Sequence, residues 1–362
     1  MSKKGKVLVG MSGGVDSTVT ALLLHEQGYE VIGVTLNILD YNYAESRVHN
    51  PCCSMESVMG AKEIANFIGF EHLIIDVKEE FSKTVMAGFT KEYMSGRTPN
   101  PCIWCNSDIK WKGLIDAADK YDCEKIATGH YVRIGENDGR YFLKRGVDEK
   151  KDQSYFLWAL DQESLSRTIF PLGDLTKPEV RSIAFTRGHV KMSQKQENFD
   201  VCFVPDNDYR TYLKDTVPGI EEDFKGGNFV DNQGNVLGQH DGYMNYTIGQ
   251  RRGLKIALGK PMYVTKINAK NNTVVLGDTD ELVRNGMIVQ QINPMKYAQI
   301  PEMEATTMVR YKSKGVLSKL AYNNSDLQVE FLANTRGVAP GQSAVFYEGD
   351  DVLGGGIIME SL

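Results

Sequence analysis

Apolar and polar positions in the first forty residues alternate as strand, loop, helix and strand. Lys6 to Gly10 encloses an apolar Val-Leu-Val run, and Thr18 to Gln27 carries Val19, Leu22 and Leu23 at core-facing helical spacing. Gly28 stands where a left-handed C-cap ends a helix, and Tyr29 to Leu39 reads as the second strand. A second helix is predicted over Met55 to Ile68, with Val58, Ala61, Ile64, Ala65 and Ile68 on one side and Gly69 as its stop, followed by a strand at His72 to Asp76. Another helical pattern over Asn106 to Lys120 precedes a strand at Lys125 to Thr128. Thr176, Pro178 and Glu179 form a capping-box start for a helix that ends at Gly188. This alternation predicts a doubly wound parallel α/β sheet.

After about residue 206 the texture changes. Turns such as Asp231 to Gly234, Asn268 to Asn272 and Tyr322 to Asp326 separate short apolar or alternating runs. Val274 to Leu276, Met303 to Val309, Leu327 to Leu332 and Ser343 to Tyr347 read as antiparallel strands. Three domains follow: an α/β domain over 1–206, a small central β-rich module over 207–276 and a C-terminal antiparallel β-barrel over 277–362. No internal repeat, low-complexity tract or heptad pattern is visible.

The length of 362 residues, the 24% charged fraction and the net charge of −6 fit an ordered multidomain protein without indiscriminate affinity for nucleic acid. A local basic groove stays compatible with that balance. No apolar run approaches the roughly 20 residues of a membrane span, and the N-terminus lacks the apolar core of a signal peptide, so the cytoplasm is the expected compartment. Cysteines at 52, 53, 102, 105, 123 and 202 are too few and too unevenly spread for a disulfide framework.

The most informative segment is Gly10-Met11-Ser12-Gly13-Gly14-Val15-Asp16-Ser17, between the first strand and the first helix. Adjacent glycines bring backbone N–H groups close to a polyanion, Ser12 and Ser17 add hydroxyl donors, and the helix points its positive end at the same place. No Gly-Lys-Ser/Thr follows, so the loop is not a Walker A loop. Asp16 can instead help hold Mg²⁺ on a pyrophosphate. The plainer alternative is a glycine turn in which Asp and Ser only cap the helix.

The second segment runs from Gly96 to Asn106 and contains Pro99, Pro101, Cys102 and Cys105. A helical pattern beginning near Cys105 places its thiol at a helix N-terminus, where the thiolate is favoured. Cys105 is a candidate nucleophile; the alternatives are a small buried hydrophobe or a CxxC metal or redox pair with Cys102. Zinc would need two further ligands, and no second CxxC or HxxxH occurs, so no metal site is expected. Cys202, in an apolar run after a polar loop, reads as a core cysteine.

Ser12 to Ser17 resembles the loop of the ATP pyrophosphatase family, which splits ATP to AMP and pyrophosphate while adenylating a substrate oxygen. Together with Gly96 to Asn106, Ala127 to Tyr131, Lys151 to Phe156, Val201 to Phe203, Thr247 to Gly253 and Ala339 to Tyr347, it makes the whole chain similar to bacterial tRNA-specific 2-thiouridylases.

The resemblance implies an adenine nucleotide alpha hydrolase-like catalytic domain, with ATP on Gly10 to Ser17, Leu36 and Gly129. It implies adenylation of the C2 oxygen of the wobble uridine and displacement of AMP by sulfur, because an adenylate leaves readily where an amide-like oxygen does not. It makes Cys202 the persulfide carrier and Cys105 its partner, with either direct attack by the persulfide or release of sulfide with a 105–202 disulfide. It places Asn100, Pro101 and Cys102 at the target base, and His130, Asp152, Gln153, Ser154, Arg310, Tyr311 and Gln342 at tRNA. The implied partners are glutamate, lysine and glutamine tRNAs and a sulfur-relay protein or cysteine desulfurase. An anticodon base must leave its stack before C2 can be reached, which calls for a pocket and backbone contacts. The clusters Arg251-Arg252-Lys255 and Arg310-Lys312-Lys314 either meet phosphates or are solvated faces. His130 alone would also suit a hydrogen-bonded turn.

Two departures from the family pattern stand out. Cys102 occupies a position where many members carry an acidic residue, and a thiol, with a free pKa of ~8.5, carries less charge near neutrality. It can shuttle a proton or resolve a persulfide or disulfide on Cys105. The segment before Cys202 lacks the Ser-and-Gly-containing version common in the family. Rival readings are a ligase or amidotransferase with the same loop, a noncatalytic tRNA-binding protein, and an iron–sulfur variant using Cys102 and Cys105.

Overall fold

The computed structural model describes residues 4–40, 55–194, 201–256 and 259–362. Five parallel strands form the first layer: β1 (Lys6–Gly10), β2 (Glu30–Asn37), β3 (Glu71–Asp76), β4 (Lys125–Ala127) and β7 (Thr168–Ile169), in the order β3-β2-β1-β4-β7. Val7, Leu8 and Val9 are each 0% exposed, as a central strand covered on both faces requires. Their alternation divides the packing. Val7 and Val9 meet Ala21 and Leu24 of α1 (Val15–Glu26) and Ala61 and Ile64 of α2 (Met55–Ile68). Leu8 points the other way, into a core with Ile103, Trp111 and Leu114.

Two long helical runs follow β3, the second packing on that face through Ile103, Trp111 and Leu114 and the first packing in a separate core with Phe203 and Tyr212. One, α3, spans 78–94 and the other, α4, spans 101–120; each contains a wider π segment, at Ser82–Met86 and Cys105–Trp111. Between β4 and β7 the chain forms the hairpin β5 (Val132–Asn137) and β6 (Arg140–Arg145), then α5 (Gln162–Arg167). Helices α6 (Lys177–Thr186) and α7 (Val190–Gln194) follow β7. The carboxylate of Glu179 accepts from the backbone N–H and the hydroxyl of Thr176, both at 2.7 Å, at the expected start of α6.

Beyond residue 206 strands do not take over at once: α8 (Tyr209–Thr216) and α9 (Ile220–Phe224) come first. Tyr212, Leu213 and Ile220 are buried there. The central sheet then joins β8 (Gly227–Val230), β9 (Val236–His240), β10 (Tyr263–Asn268) and β11 (Thr273–Gly277) in the order β10-β11-β8-β9. The C-terminal strands are β12 (Val283–Pro294), β13 (Met303–Met308), β14 (Val316–Asn323), β15 (Asp326–Arg336), β16 (Ser343–Glu348) and β17 (Asp351–Ser361). They run antiparallel in the order β12-β15-β14-β13-β16-β17, and β12 also pairs with β17, which closes the barrel. The β5–β6 hairpin attaches through Asp351 opposite Lys144, so part of the α/β segment extends the C-terminal sheet.

Two predicted boundaries move. Helix α1 starts at Val15 rather than Thr18, because Gly14 serves as its N-cap and Asp16 and Ser17 become first-turn residues. Helix α4 starts at Pro101 rather than near Cys105, since proline lacks only an N–H that is unpaired at that position anyway. Cys52, Cys53 and the polar segment 195–200 lie outside the described residues. Among the described residues, no helix is long and apolar enough to cross a membrane.

Candidate functional site

The sheet order turns back at β1, and the loops following β1 and β4 meet there, the place where open α/β sheets bind ligands. The loop after β1 is held from several sides. Met11 N–H donates to Val34 O at 2.7 Å, Thr35 Oγ1 donates to Met11 O at 2.7 Å, and Ser12 N–H donates to Ser17 Oγ at 3.2 Å. Gly13 has a φ of 66°, and a Cβ there would lie 2.2 Å from Ser57 O, so the turn accepts only glycine. Gly129, from the loop after β4, passes so close to the start of α1 that a Cβ would lie 2.8 Å from the Asp16 carbonyl carbon.

Asp16 is the charged member of this turn. Lys177 Nζ lies 2.7 and 2.8 Å from its two carboxylate oxygens, and Tyr131 OH donates to Oδ1 at 2.7 Å. Lys177 is 6% exposed. Its ammonium therefore sits, largely desolvated, beside the anion loop, and its backbone N–H donates to Asp148 Oδ2 at 2.9 Å.

A cavity of about 610 Å³ opens from this loop. Its lining includes Gly10, Met11, Ser12, Asp16, Ser17, Leu36 and Gly129, together with Pro101, Cys102, Cys105 and Cys202. All three cysteines are thiols. Cys105 is 7% exposed, one turn into α4, while Cys102 is half-buried in the first turn; the helix-start environment expected for Cys105 belongs to Cys102. Cys202 is half-buried on the cavity wall, packed against the edge of an apolar core and not fully inside it. The anchor next to it is Phe203, 1% exposed, whose ring meets Phe81, Phe89 and Tyr212 edge-on at 5.7, 5.2 and 5.3 Å.

His130, Gln153 and Tyr311 also line the cavity. His130 Nδ1 and Thr128 Oγ1 are 2.8 Å apart, and the ring lies 5.3 Å from that of Trp111. Burial, with a smaller contribution from Lys110, pushes its pKa down to about 3, so the imidazole is neutral at physiological pH. Gln153 accepts from Tyr131 N–H at 3.0 Å.

Other expected contacts do not line the cavity. Gly13, Gly14, Val15, Asn100, Asp152, Ser154, Arg310 and Gln342 are not part of its lining. Asp152 and Ser154, both expected at tRNA, have buried side chains, 7% and 0% exposed. Asp152 accepts from the backbone N–H groups of Gly146 and Ser154 and from Ser154 Oγ at 2.8 Å; burial raises its pKa against these bonds. Ser154 Oγ also lies 3.1 Å from Tyr347 OH, tying this segment to the barrel. Gln342 Nε2 donates to Thr98 O at 2.8 Å and Pro99 O at 3.1 Å, directly ahead of Asn100. Arg310 is exposed on the barrel loop that carries Tyr311 into the cavity, where its ring lies 4.3 Å from that of Phe156.

The cavity also contains Thr35 and Lys110, which the sequence pattern did not single out, together with Asn106, Lys151 and Lys312 from segments that it did. Asn106 Nδ2 donates to Phe156 O at 3.1 Å and its Oδ1 accepts from Lys110 Nζ at 3.2 Å. Three lysines and one carboxylate, Asp16, make the lining electropositive. Among the described residues no cluster of three His, Cys, Asp or Glu side chains is arranged to hold a metal ion.

Fold and cavity define the class: an α/β domain of the HUP type, with an anion loop at its switch point and barrel modules behind it. A tRNA methyl transferase HUP domain model matches residues 5–206, a tRNA methyl transferase PRC-barrel model 214–278 and an aminomethyltransferase beta-barrel model 284–358. Full-length similarity is more specific than these domain descriptions. The tRNA-specific 2-thiouridylase of Amoebophilus asiaticus is 52% identical over 99% of this chain and 96% of its own. That of Cytophaga hutchinsonii is 50% identical over 100% and 99%, and that of Salinibacter ruber 49% over 99% and 96%. The chain belongs to the tRNA-specific 2-thiouridylase family.

Proposed function

We propose that this enzyme uses ATP to adenylate the C2 oxygen of the wobble uridine of tRNA and replaces that oxygen with sulfur, releasing AMP and pyrophosphate. The observation that carries the reading is that one cavity joins the anion loop at Gly10 to Ser17 with the thiols of Cys102, Cys105 and Cys202.

Backbone donors of the loop and the start of α1 face the phosphates, and the Lys177 ammonium adds fixed positive charge as pyrophosphate leaves. Asp16 is the single carboxylate of the lining, and it would hold Mg²⁺, with substrate phosphates and water as the other ligands, by giving up contacts with Lys177 and Tyr131. Bound with the nucleotide, Mg²⁺ would neutralise charge on the departing pyrophosphate. Leu36, Ile38, Phe81 and Val85 make an apolar wall that keeps water from the adenylate.

The target base enters past Asn100, Pro101 and Cys102. His130, Gln153, Tyr311 and Arg310 face the RNA, whereas Asp152, Ser154 and Gln342 hold the segments that do so. Cys202 carries sulfur as a persulfide received from a relay protein or cysteine desulfurase, and Cys105 is its partner. The substrates are glutamate, lysine and glutamine tRNAs.

Incubation with labelled ATP, with and without unmodified glutamate tRNA, tests the reading. AMP formation that requires the tRNA supports it. Tight tRNA binding without AMP formation would make the protein a noncatalytic binder.

A further inference from the structure

Two of the three cavity thiols suffice for a carrier and its partner; the third, Cys102, has a geometry of its own. Residues 101–104 are α-helical and Cys105 continues with φ −60° and ψ −40°, so Cys102 and Cys105 are three residues apart on one helical turn. Helix geometry puts their Cα atoms about 5 Å apart, inside the range of roughly 4.4–6.8 Å that a disulfide spans, with both side chains on one face. Cβ atoms three residues apart on a helix lie about 5–6 Å apart, against roughly 3.5–4.5 Å in a disulfide, so closing the pair takes a local adjustment of the first helical turn. Cys202 comes from a distant part of the chain and shares the cavity with both. Cys102 and Cys202 are both half-buried, and Cys105 is the buried member of the three.

Resting on the functional reading above, we infer that Cys102 is a resolving thiol that moves the oxidised bond from the sulfur carrier to the Cys102–Cys105 pair after each turnover. In the first step Cys105 thiolate attacks the inner sulfur of the Cys202 persulfide. The Cys105–Cys202 disulfide forms, and the outer sulfur leaves as hydrosulfide to displace AMP from the base. In the second step Cys102 thiolate, its proton lost to solvent, attacks the Cys105 sulfur. The Cys102–Cys105 bond forms, the Cys105–Cys202 bond breaks, and Cys202 leaves as a thiolate ready for a new sulfur. No electrons are gained or lost in this exchange. An external dithiol then reduces the Cys102–Cys105 disulfide by two electrons and is itself oxidised to a disulfide. Moving the bond to the Cys102–Cys105 pair frees Cys202 to take up new sulfur while the reductant acts on a separate pair on the cavity wall.

The test is a single turnover with the full-length enzyme loaded with inorganic polysulfide, ATP, Mg²⁺ and unmodified tRNA, without reductant. Thiols are trapped by alkylation over a time course, and nucleosides and peptides are analysed by mass spectrometry. The inference predicts thiolated tRNA together with a tRNA-dependent 102–105 disulfide, in roughly tenfold excess over the 105–202 pair once the reaction is complete. Cys102→Ser should leave the bond at 105–202. Thiolated tRNA with only a 105–202 disulfide in the wild type, or with no disulfide, would overturn the resolving role while leaving the functional reading intact. Absence of thiolated tRNA in the wild type would overturn both. The wild-type measurement decides the matter even if Cys102→Ser loses activity.

Discussion

The side-chain amide of Gln342, in the C-terminal barrel, donates to the carbonyl oxygen of Thr98 in the α/β domain at 2.8 Å, and again to Pro99 at 3.1 Å. Thr98 N–H in turn donates to Pro340 O at 2.8 Å. The barrel thus holds the two residues that lead into Asn100, Pro101 and Cys102, so Gln342 shapes the proposed base site without lining it.

Removing this grip should slow chemistry more than it weakens RNA binding. Two hydrogen bonds of about 0.5–1.5 kcal/mol each correspond to roughly a tenfold loss in kcat for Gln342→Ala, with tRNA affinity changed less than about twofold. Rapid-quench thiolation at saturating tRNA, beside fluorescence titration of tRNA, checks this. An affinity loss with unchanged kcat would make Gln342 a direct RNA contact instead.

Lys177 and Asp16 make a pair of which the lysine is almost wholly buried. Lys177→Met would leave Asp16 with one neutral donor, Tyr131 OH. The pair is partly open on the Asp16 side, so the expected cost to stability is about 1–3 kcal/mol, below that of a fully buried pair. AMP formation should fall by about 100-fold if Lys177 stabilises the leaving pyrophosphate, while tRNA binding persists. Denaturant titration and an AMP assay separate the two effects.

His130 gives a pH signature with a defined sign. Its folded pKa is about 3, below the ordinary value of 6.5. The unfolded chain therefore binds a proton between those values that the folded chain does not, so stability is lost as pH falls through 6.5 towards 3. Between pH 7 and pH 5 the loss is at most about 2 kcal/mol. His130→Asn should remove that part of the slope in urea titrations at the two pH values. Because the ring is already neutral at pH 7, a step in activity near pH 6.5 should not come from His130.

Much of the fold was legible because the signals are local. The apolar runs at Val7 to Val9 and Ile32 to Val34, and the stops at Gly28 and Gly69, act within a few residues. The anion loop was legible for the same reason, with adjacent glycines, hydroxyls and a helix start in one octet. The start of α4 was misplaced because Pro99 and Pro101 read as an extended approach, although Pro101 is itself the first helical residue. The β5–β6 hairpin belongs to a sheet completed by β17, more than 200 residues later, and no local pattern announces that pairing. Lys110, Lys151 and Lys312 reach one cavity from three separated segments, so only the fold reveals them together. Asp152 and Ser154 entered only through the resemblance, and that their side chains bond to each other inside the protein is visible only in the fold.

The most direct test is mass spectrometry of nucleosides from unmodified glutamate tRNA after incubation with enzyme, ATP, Mg²⁺ and inorganic polysulfide, comparing wild type with Cys202→Ser. The account predicts 2-thiouridine at the wobble position with the wild type and none with the variant. Equal sulfur incorporation by the variant would contradict the role of Cys202, and AMP formation without any sulfur in the tRNA would contradict thiolation itself.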